Sequence, residues 1–266
     1  MAIPKKVEKR LADGLRKFQP IIKRAKDKDI NEADTVRLVT DILADLLGWD
    51  KYSQVTSEYA IRGRYVDLAI TEPSESHPQI LIEVKSIGTE LNDRHVRQAV
   101  DYAANEGVEW VLLTNGHMWR IYKIIFAQPV EHELVDELDL LHMSHRAKRD
   151  LERLFPLTPE GVGKNALEGQ YKQRRVLNRF FVAAVIRSEP IVDAVRRELR
   201  RIEPEAKINN EELLELIRNE VLKREVVEED RAKEAERIVK RARNRLLRSR
   251  KKAKVANNGK EDEKSG

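Results

Sequence analysis

The sequence predicts an α/β core followed by a mostly helical C-terminal region, and three observations point that way. The apolar pattern is helical up to about residue 48, alternates from Val55 to Lys85, turns helical again near Asn92 and alternates once more from Trp110. Asn115-Gly116 separates two of the alternating runs, the strongest short-range hairpin signal in the chain. Between Pro204 and Gly259 there is no glycine or proline, so this stretch reads as helical.

The elements follow in order. Residues 5–28 form a charged helix with a thin apolar stripe (Val7, Leu11, Leu15, Phe18, Ile22), and Pro20 predicts a kink or break in it. A second helix runs from Glu32 to Leu47. Asp29 or Asn31 caps it, Val36, Val39, Leu43 and Leu46 form its buried face, and Gly48 stops it. Val55 to Ile61 and Tyr65 to Ile70 alternate about a turn at Arg62-Gly63-Arg64. A polar loop, 71–78, leads to a strand at Ile80–Lys85. Asn92–Glu106 is a helix closed by Gly107, Trp110–Thr114 and His117–Ile124 are strands, and 129–141 adds an edge strand. The expected organisation is an N-terminal helix (1–30), the α/β core (31–141), a linker (142–165), a helical region with a basic tail helix (166–254) and a disordered tail (255–266).

Composition excludes several classes. There is no cysteine among 266 residues, so disulfides, Cys-ligated zinc, iron–sulfur clusters and thiol chemistry are out. The longest apolar run, Phe180–Ile186, is far short of the ~20 residues a membrane span needs, and the first ten residues hold no secretory apolar stretch; a soluble, cytoplasmic protein is expected. The net charge of +5 is unevenly spread: between Arg237 and Lys254 ten basic residues occur with no acidic one. Such a run attracts phosphate backbones without reading sequence, and Arg241, Arg245, Arg248, Lys251 and Lys252 are the candidate DNA contacts; a solvated tail is the competing reading.

Three polar residues stand where strands should be apolar: Asp67, Glu83 and Lys85. Because strand side chains alternate, Glu83 and Lys85 share one face while Ile80, Ile82 and Val84 share the other. On the preceding strand Val66, Leu68 and Ile70 lie opposite Asp67. If the apolar faces join one core, two carboxylates and an amine converge on the far side. Carboxylate oxygens suit Mg²⁺, and such a site fits phosphodiester hydrolysis, with Lys85 positioning or deprotonating the water or neutralising developing charge. The bare triplet is weak, since Glu205-Ala206-Lys207 and Asp262-Glu263-Lys264 match it too, and taken alone it is better explained by a cross-strand salt bridge on a solvated sheet face.

Taken together, Asn31-Glu32-Ala33-Asp34-Thr35, Leu46-Leu47-Gly48-Trp49, Tyr65-Val66-Asp67, Leu81-Ile82-Glu83-Val84-Lys85 and Glu109-Trp110-Val111-Leu112-Leu113-Thr114-Asn115-Gly116 resemble the PD-(D/E)xK nuclease superfamily. More closely, they resemble the N-terminal nuclease domain of Type I restriction enzyme R subunits. The likeness covers roughly residues 25 to 140, with Val66 in the place of the superfamily's proline. It implies a restriction-endonuclease-like mixed β-sheet flanked by helices, with Asp67 and Glu83 as ligands of Mg²⁺ (or Mn²⁺), Glu32 as an auxiliary acid and Lys85 as the catalytic lysine. Gln98 and Tyr102 match that family's Gln-x-x-x-Tyr element; at i and i+4 they share a helix face. Gly161-Val162-Gly163-Lys164-Asn165 is not a Walker A loop, so a stand-alone nuclease domain without an ATP motor is expected. His142 and His145, one helical turn apart, lack an obvious third metal ligand, and Trp49, Trp110 and Trp119 read as core.

Two functions remain open from sequence: a Mg²⁺-dependent DNA endonuclease, and a non-catalytic nucleic-acid-binding or assembly subunit on a nuclease-like fold. The expected partners are DNA and, through the helical region, other protein subunits.

Overall fold

The computed structural model describes residues 2–61 and 63–262, with side chains described as far as Leu246. Arg62 of the expected turn, the side chains of Arg248, Lys251 and Lys252, and residues 263–266 lie outside the described residues. The chain divides into two compact units, Met1–Tyr171 and Lys172–Gly266.

In the first unit, α1 (Lys5–Asp27) buries the predicted stripe Val7, Leu11, Leu15, Phe18 and Ile22. Pro20 does not break it. Pro20 and Arg16, whose carbonyl loses its partner, both lie on the exposed face, open to solvent, while Leu15, Phe18 and Ile22 hold the two halves in line from the other side. Gly14 lets α1 approach the next helix: a Cβ there would lie 2.8 Å from Leu46 Cα. That helix, α2 (Glu32–Asp41), is capped by Asn31, whose side chain accepts the Asp34 N–H at 2.9 Å. It continues as a π-helical turn, Ile42–Leu47, and stops at Gly48 with φ 93°, as its position predicts. The face it buries includes Thr35, Leu38, Val39, Ile42, Leu43 and Leu46, with Val36 only half-buried.

The sheet has six strands in sequence order: β1 (Val55–Ile61), β2 (Arg64–Ile70), β3 (Ile80–Val84), β4 (Trp110–Thr114), β5 (Met118–Ile125) and β6 (Glu131–Asp139). Only β3 and β4 are parallel, joined by α3 (Asp93–Glu106), which is capped by Asn92 and ended by Gly107. The sheet is therefore mixed and covered by helices on both faces. Leu68, Ile70, Ile80, Ile82, Val84 and Leu112 pack with α1 and α2. Ala69, Leu81, Val111 and Leu113 pack with Val96, Ala99 and Ala103 of α3.

One expectation about the faces is corrected. Val66 joins the α3 side, not the core shared by Leu68 and Ile70. The β1–β2 ladder keeps one register throughout but omits the Glu58–Asp67 pair, and Glu58 has φ 49°. The alternation breaks at that point, so the residues on either side of Asp67 serve different cores.

Residues 142–165, expected as a linker, carry α4 (Lys148–Leu154), a 3₁₀ turn (Phe155–Leu157) and the short α5 (Pro159–Val162). Leu151, Leu154, Phe155 and Leu157 enter the core of the first unit. Arg10 of α1 clamps Glu160 at 2.9 and 2.7 Å and donates to the Leu47 carbonyl at 2.8 Å, so the segment is tied to the helical layer by a fork-shaped ion pair.

The second unit is helical: the end of α6 (Ala166–Val176), then α7 (Arg179–Ile186), α8 (Glu189–Ile202), α9 (Asn210–Leu216), α10 (Arg224–Glu228) and α11 (Asp230–Asp262). Its backbone helix runs past 254, the expected end, to Asp262. Phe180, Ala183, Ala184, Val226, Ala232 and Ala235 form its main core. Among the described residues no helix is long and apolar enough to cross a membrane.

Candidate active site

The site lies where the parallel pair β3–β4 ends. The Lys85 N–H donates to the Thr114 carbonyl at 2.8 Å, which fixes Lys85 at the carboxyl end of β3. In mixed and parallel sheets the crevice beyond these ends is the usual place for a ligand. The β2–β3 ladder stops at Leu68↔Ile82, and beyond it the Asp67 carboxylate takes over: Oδ2 accepts the Val84 N–H at 2.7 Å. The sheet thus opens at Asp67, and the acid that opens it leans on the backbone between Glu83 and Lys85.

Glu83 is 5% exposed. Its Oε1 accepts from Lys85 Nζ at 2.8 Å, and the same Nζ lies 3.7 Å from Oε2 of Glu32, the first residue of α2. Lys85 therefore joins an acid of β3 to an acid of the helical layer. Asp67, Glu83, Lys85 and Glu32, picked from three separate sequence segments, form one electrostatic cluster.

The charges in it are incompletely balanced. Burial pushes the Asp67 carboxyl above the usual carboxylate range; the Val84 N–H and the Lys85 charge pull it back only in part, while Glu32 and Glu58 add repulsion. Burial likewise raises Glu83, despite its bond to Lys85, with Asp67 and Glu32 raising it further. For Lys85, burial acts downward, but the Glu83 hydrogen bond and the charges of Glu83, Glu32 and Asp67 outweigh it, and its value ends above that of a free lysine. Lys85 is a protonated ammonium at neutral pH and not a base.

Two desolvated carboxylates that repel each other suit a hard cation, which relieves the repulsion. The donor set is thus compatible with Mg²⁺ at Asp67 and Glu83. Among the described residues, however, no group of three or more His, Cys, Asp or Glu side chains is gathered closely enough to hold a metal ion. Glu32 meets Lys85, not the other two acids.

The remaining predicted residues separate from the cluster. Gln98 Nε2 donates to the Tyr102 hydroxyl at 2.8 Å on α3, as the i, i+4 spacing implies. Gln98 is exposed and Tyr102 is buried in the α3 core; neither hydrogen-bonds Asp67, Glu83 or Lys85 among the described residues. Arg241 and Arg245 are exposed on α11 in the second unit. His142 is taken up by Asp139, Nδ1 to Oδ2 at 2.6 Å, and Trp49, Trp110 and Trp119 are core. Glu58 was missed. The hairpin turn at residue 63 sets its register opposite Asp67, so its place beside the cluster was readable from the pairing, but an exposed glutamate on a first strand gave no chemical signal.

A raised carboxyl has a consequence for stability. The folded state holds the Asp67 proton more tightly than the unfolded chain, so this group's contribution is complete below the unfolded carboxylate value and is lost as pH rises through the folded one. In EDTA at neutral pH the Asp67→Asn protein is therefore expected to melt above wild type, since the amide keeps an acceptor for the Val84 N–H without the buried charge. The gap should close as pH falls into the acid range. Melting curves from pH 4 to 8 check this; a variant less stable than wild type throughout contradicts it.

No curated protein and no solved structure gives a significant match to the chain. A family match exists and is confined to the first unit, where it contains Asp67, Glu83, Lys85, Gln98 and Tyr102 and leaves out Glu32. Residues 39–138 match the family model described as the Type I restriction enzyme R protein N terminus (HSDR_N).

Proposed function

We propose that the chain is a restriction-endonuclease-like, Mg²⁺-dependent DNA endonuclease that hydrolyses phosphodiester bonds. The observation that carries this reading is the Asp67–Glu83–Lys85 cluster at the carboxyl end of β3, with two acids raised by burial beside a protonated lysine.

Asp67 and Glu83 would hold the cation, with Mn²⁺ as a substitute. When bound, the cation supplies Lewis-acid stabilisation of the phosphate and a more acidic water. The chain's own residues do the rest. Lys85, as an ammonium, donates a hydrogen bond to a non-bridging phosphate oxygen and faces the negative charge that grows when water adds to phosphorus. As it carries its proton already, it positions and neutralises and does not deprotonate. One P–O bond forms from water, one ester P–O bond breaks, the leaving oxygen is protonated from solvent, and the water's proton passes to solvent. Asp67, bonded to the Val84 N–H, keeps its carboxylate fixed against β3. Glu32 steadies the Lys85 ammonium from the helical layer. Gln98, exposed on α3 and bonded to Tyr102, is the member of that pair free to reach a nucleotide, with Tyr102 supporting it from the core.

A specific observation favours a second reading. The Glu83–Lys85 bond already satisfies one carboxylate, and Glu32 stands apart from the other two acids, as in a fold kept for binding or assembly without chemistry. Incubation with supercoiled plasmid in Mg²⁺ separates the two. The nuclease reading expects conversion to nicked or linear DNA that EDTA stops and that the Lys85→Ala protein does not perform; intact plasmid with the wild-type chain favours the binding subunit.

A further inference from the structure

We infer that the second unit carries its own site for the sugar–phosphate backbone of duplex DNA, in a groove between the end of α6 and the first half of α11. The choice of DNA rests on the substrate proposed above; the groove itself does not. It encloses about 510 Å³ and is lined by Arg175 of α6 and Arg231, Arg237 and Arg241 of α11, with Asp230 and Glu234 as its only acids among the described residues.

Several arginines of this unit are held by acids, and the four of the groove are not. Arg179 pairs with Glu225 at 3.1 Å and Glu229 at 3.6 Å, Arg187 with Glu236 at 3.6 Å, Arg201 with Glu198 at 2.7 Å, and Arg243 with Glu189. Arg175, Arg231, Arg237 and Arg241 are all exposed, and among the described residues none has an acidic partner within ion-pair distance. Other exposed arginines of the unit, Arg197, Arg200, Arg218 and Arg224, also lack an ion-pair partner among the described residues, but the four of the groove are the ones gathered on a single concave face.

The packing of α11 explains why that face is free. Ala232 and Ala235 are buried and Val239 packs beside them against Phe180, Ala183 and Ala184. This orients one side of α11 inward and leaves Arg237, Arg241 and Arg245, at successive spacings of 4, exposed. In sequence Arg248 and Lys252 continue the row at spacings of 3 and 4, though their side chains lie outside the described residues. Positions one turn apart are about 5.4 Å apart along the axis, a row that follows a strand of phosphates and not one small anion. Arginine's fork also suits phosphate better than a lysine point charge does. Among the described residues no aromatic ring lines the groove to stack on a base, so binding is through backbone charge and indifferent to sequence.

The test is fluorescence anisotropy of a labelled duplex with the full-length chain in EDTA, where hydrolysis does not intervene, over a range of salt concentrations. Removing Arg175 and Arg241 together (Arg175→Ala with Arg241→Ala) is expected to weaken binding about tenfold per arginine at 0.1 M salt and to lower the slope of log affinity against log salt by about one per arginine, equally for unrelated sequences. Arg201→Ala, which removes a cation already paired, should leave both unchanged. A double variant that keeps wild-type affinity and slope overturns the proposal, as does tighter binding of an RNA duplex than of DNA. The outcome is independent of catalysis: a chain that fails to cut but loses binding in the double variant refutes the nuclease and retains the groove.

Discussion

The Lys85→Ala protein is expected to cleave supercoiled DNA about 10²–10⁴-fold more slowly than wild type in Mg²⁺, the usual contribution of a charge placed at the reacting group. The size follows from the arrangement. Among the described residues Lys85 is the cation paired with Glu83, it lies 3.7 Å from Glu32, and it stays protonated because three acids surround it. No other basic side chain contacts these carboxylates among the described residues, so nothing nearby substitutes for it. Removal also leaves the buried Glu83 carboxyl without its bond, and some loss of stability accompanies the loss of rate. Nicking rates measured below the melting transition of both proteins separate the two effects. Equal rates would contradict the assigned role.

The largest effect on folding is expected at Trp49. Its ring is 2% exposed, and its Nε1–H donates to the Leu157 carbonyl at 2.8 Å across 108 residues of chain. It therefore fastens the end of the π-helical turn to the 3₁₀ turn after α4. Trp49→Ala should cost about 3–5 kcal/mol through the cavity alone, and it leaves the buried carbonyl unpaired. Set against a typical domain stability of about 5–15 kcal/mol, that leaves the first unit marginal. Trp49→Phe keeps most of the volume and should cost far less. Urea unfolding of the three proteins gives the comparison; an alanine variant within 1 kcal/mol of wild type, a spread about that of an ordinary surface change, would contradict it.

What could be read from sequence was local. Asn31 and Gly48 bound α2, Asn92 and Gly107 bound α3, and Gly116 turns β4 into β5 at φ 90°, because caps and left-handed turns restrict residue type over three or four positions. Alternation placed Ile80, Ile82 and Val84 together on the α1–α2 face, with Asp67 meeting the β3 backbone beside Glu83 and Lys85. What escaped depends on distant partners. Pro20 fits within α1 because packing on one face outweighs one lost hydrogen bond on the other. The segment 142–165 folds onto the first core because Leu151, Leu154, Phe155 and Leu157 bury there, and Arg10 and Glu160, 150 positions apart, tie it down. Val66 changes faces because the ladder breaks at Glu58, and a pattern that assumes unbroken alternation has no place for such a break.

Hydrolysis at this site requires Asp67 and Glu83 to hold a divalent cation together. Calorimetric titration of Mn²⁺ into the metal-free protein measures this directly. Saturable binding is expected for wild type, strengthened as pH rises through the raised carboxyl range, retained by Lys85→Ala and lost in Asp67→Asn. Wild-type protein that takes up no Mn²⁺, or an Asp67→Asn protein that binds it as tightly, would contradict the account.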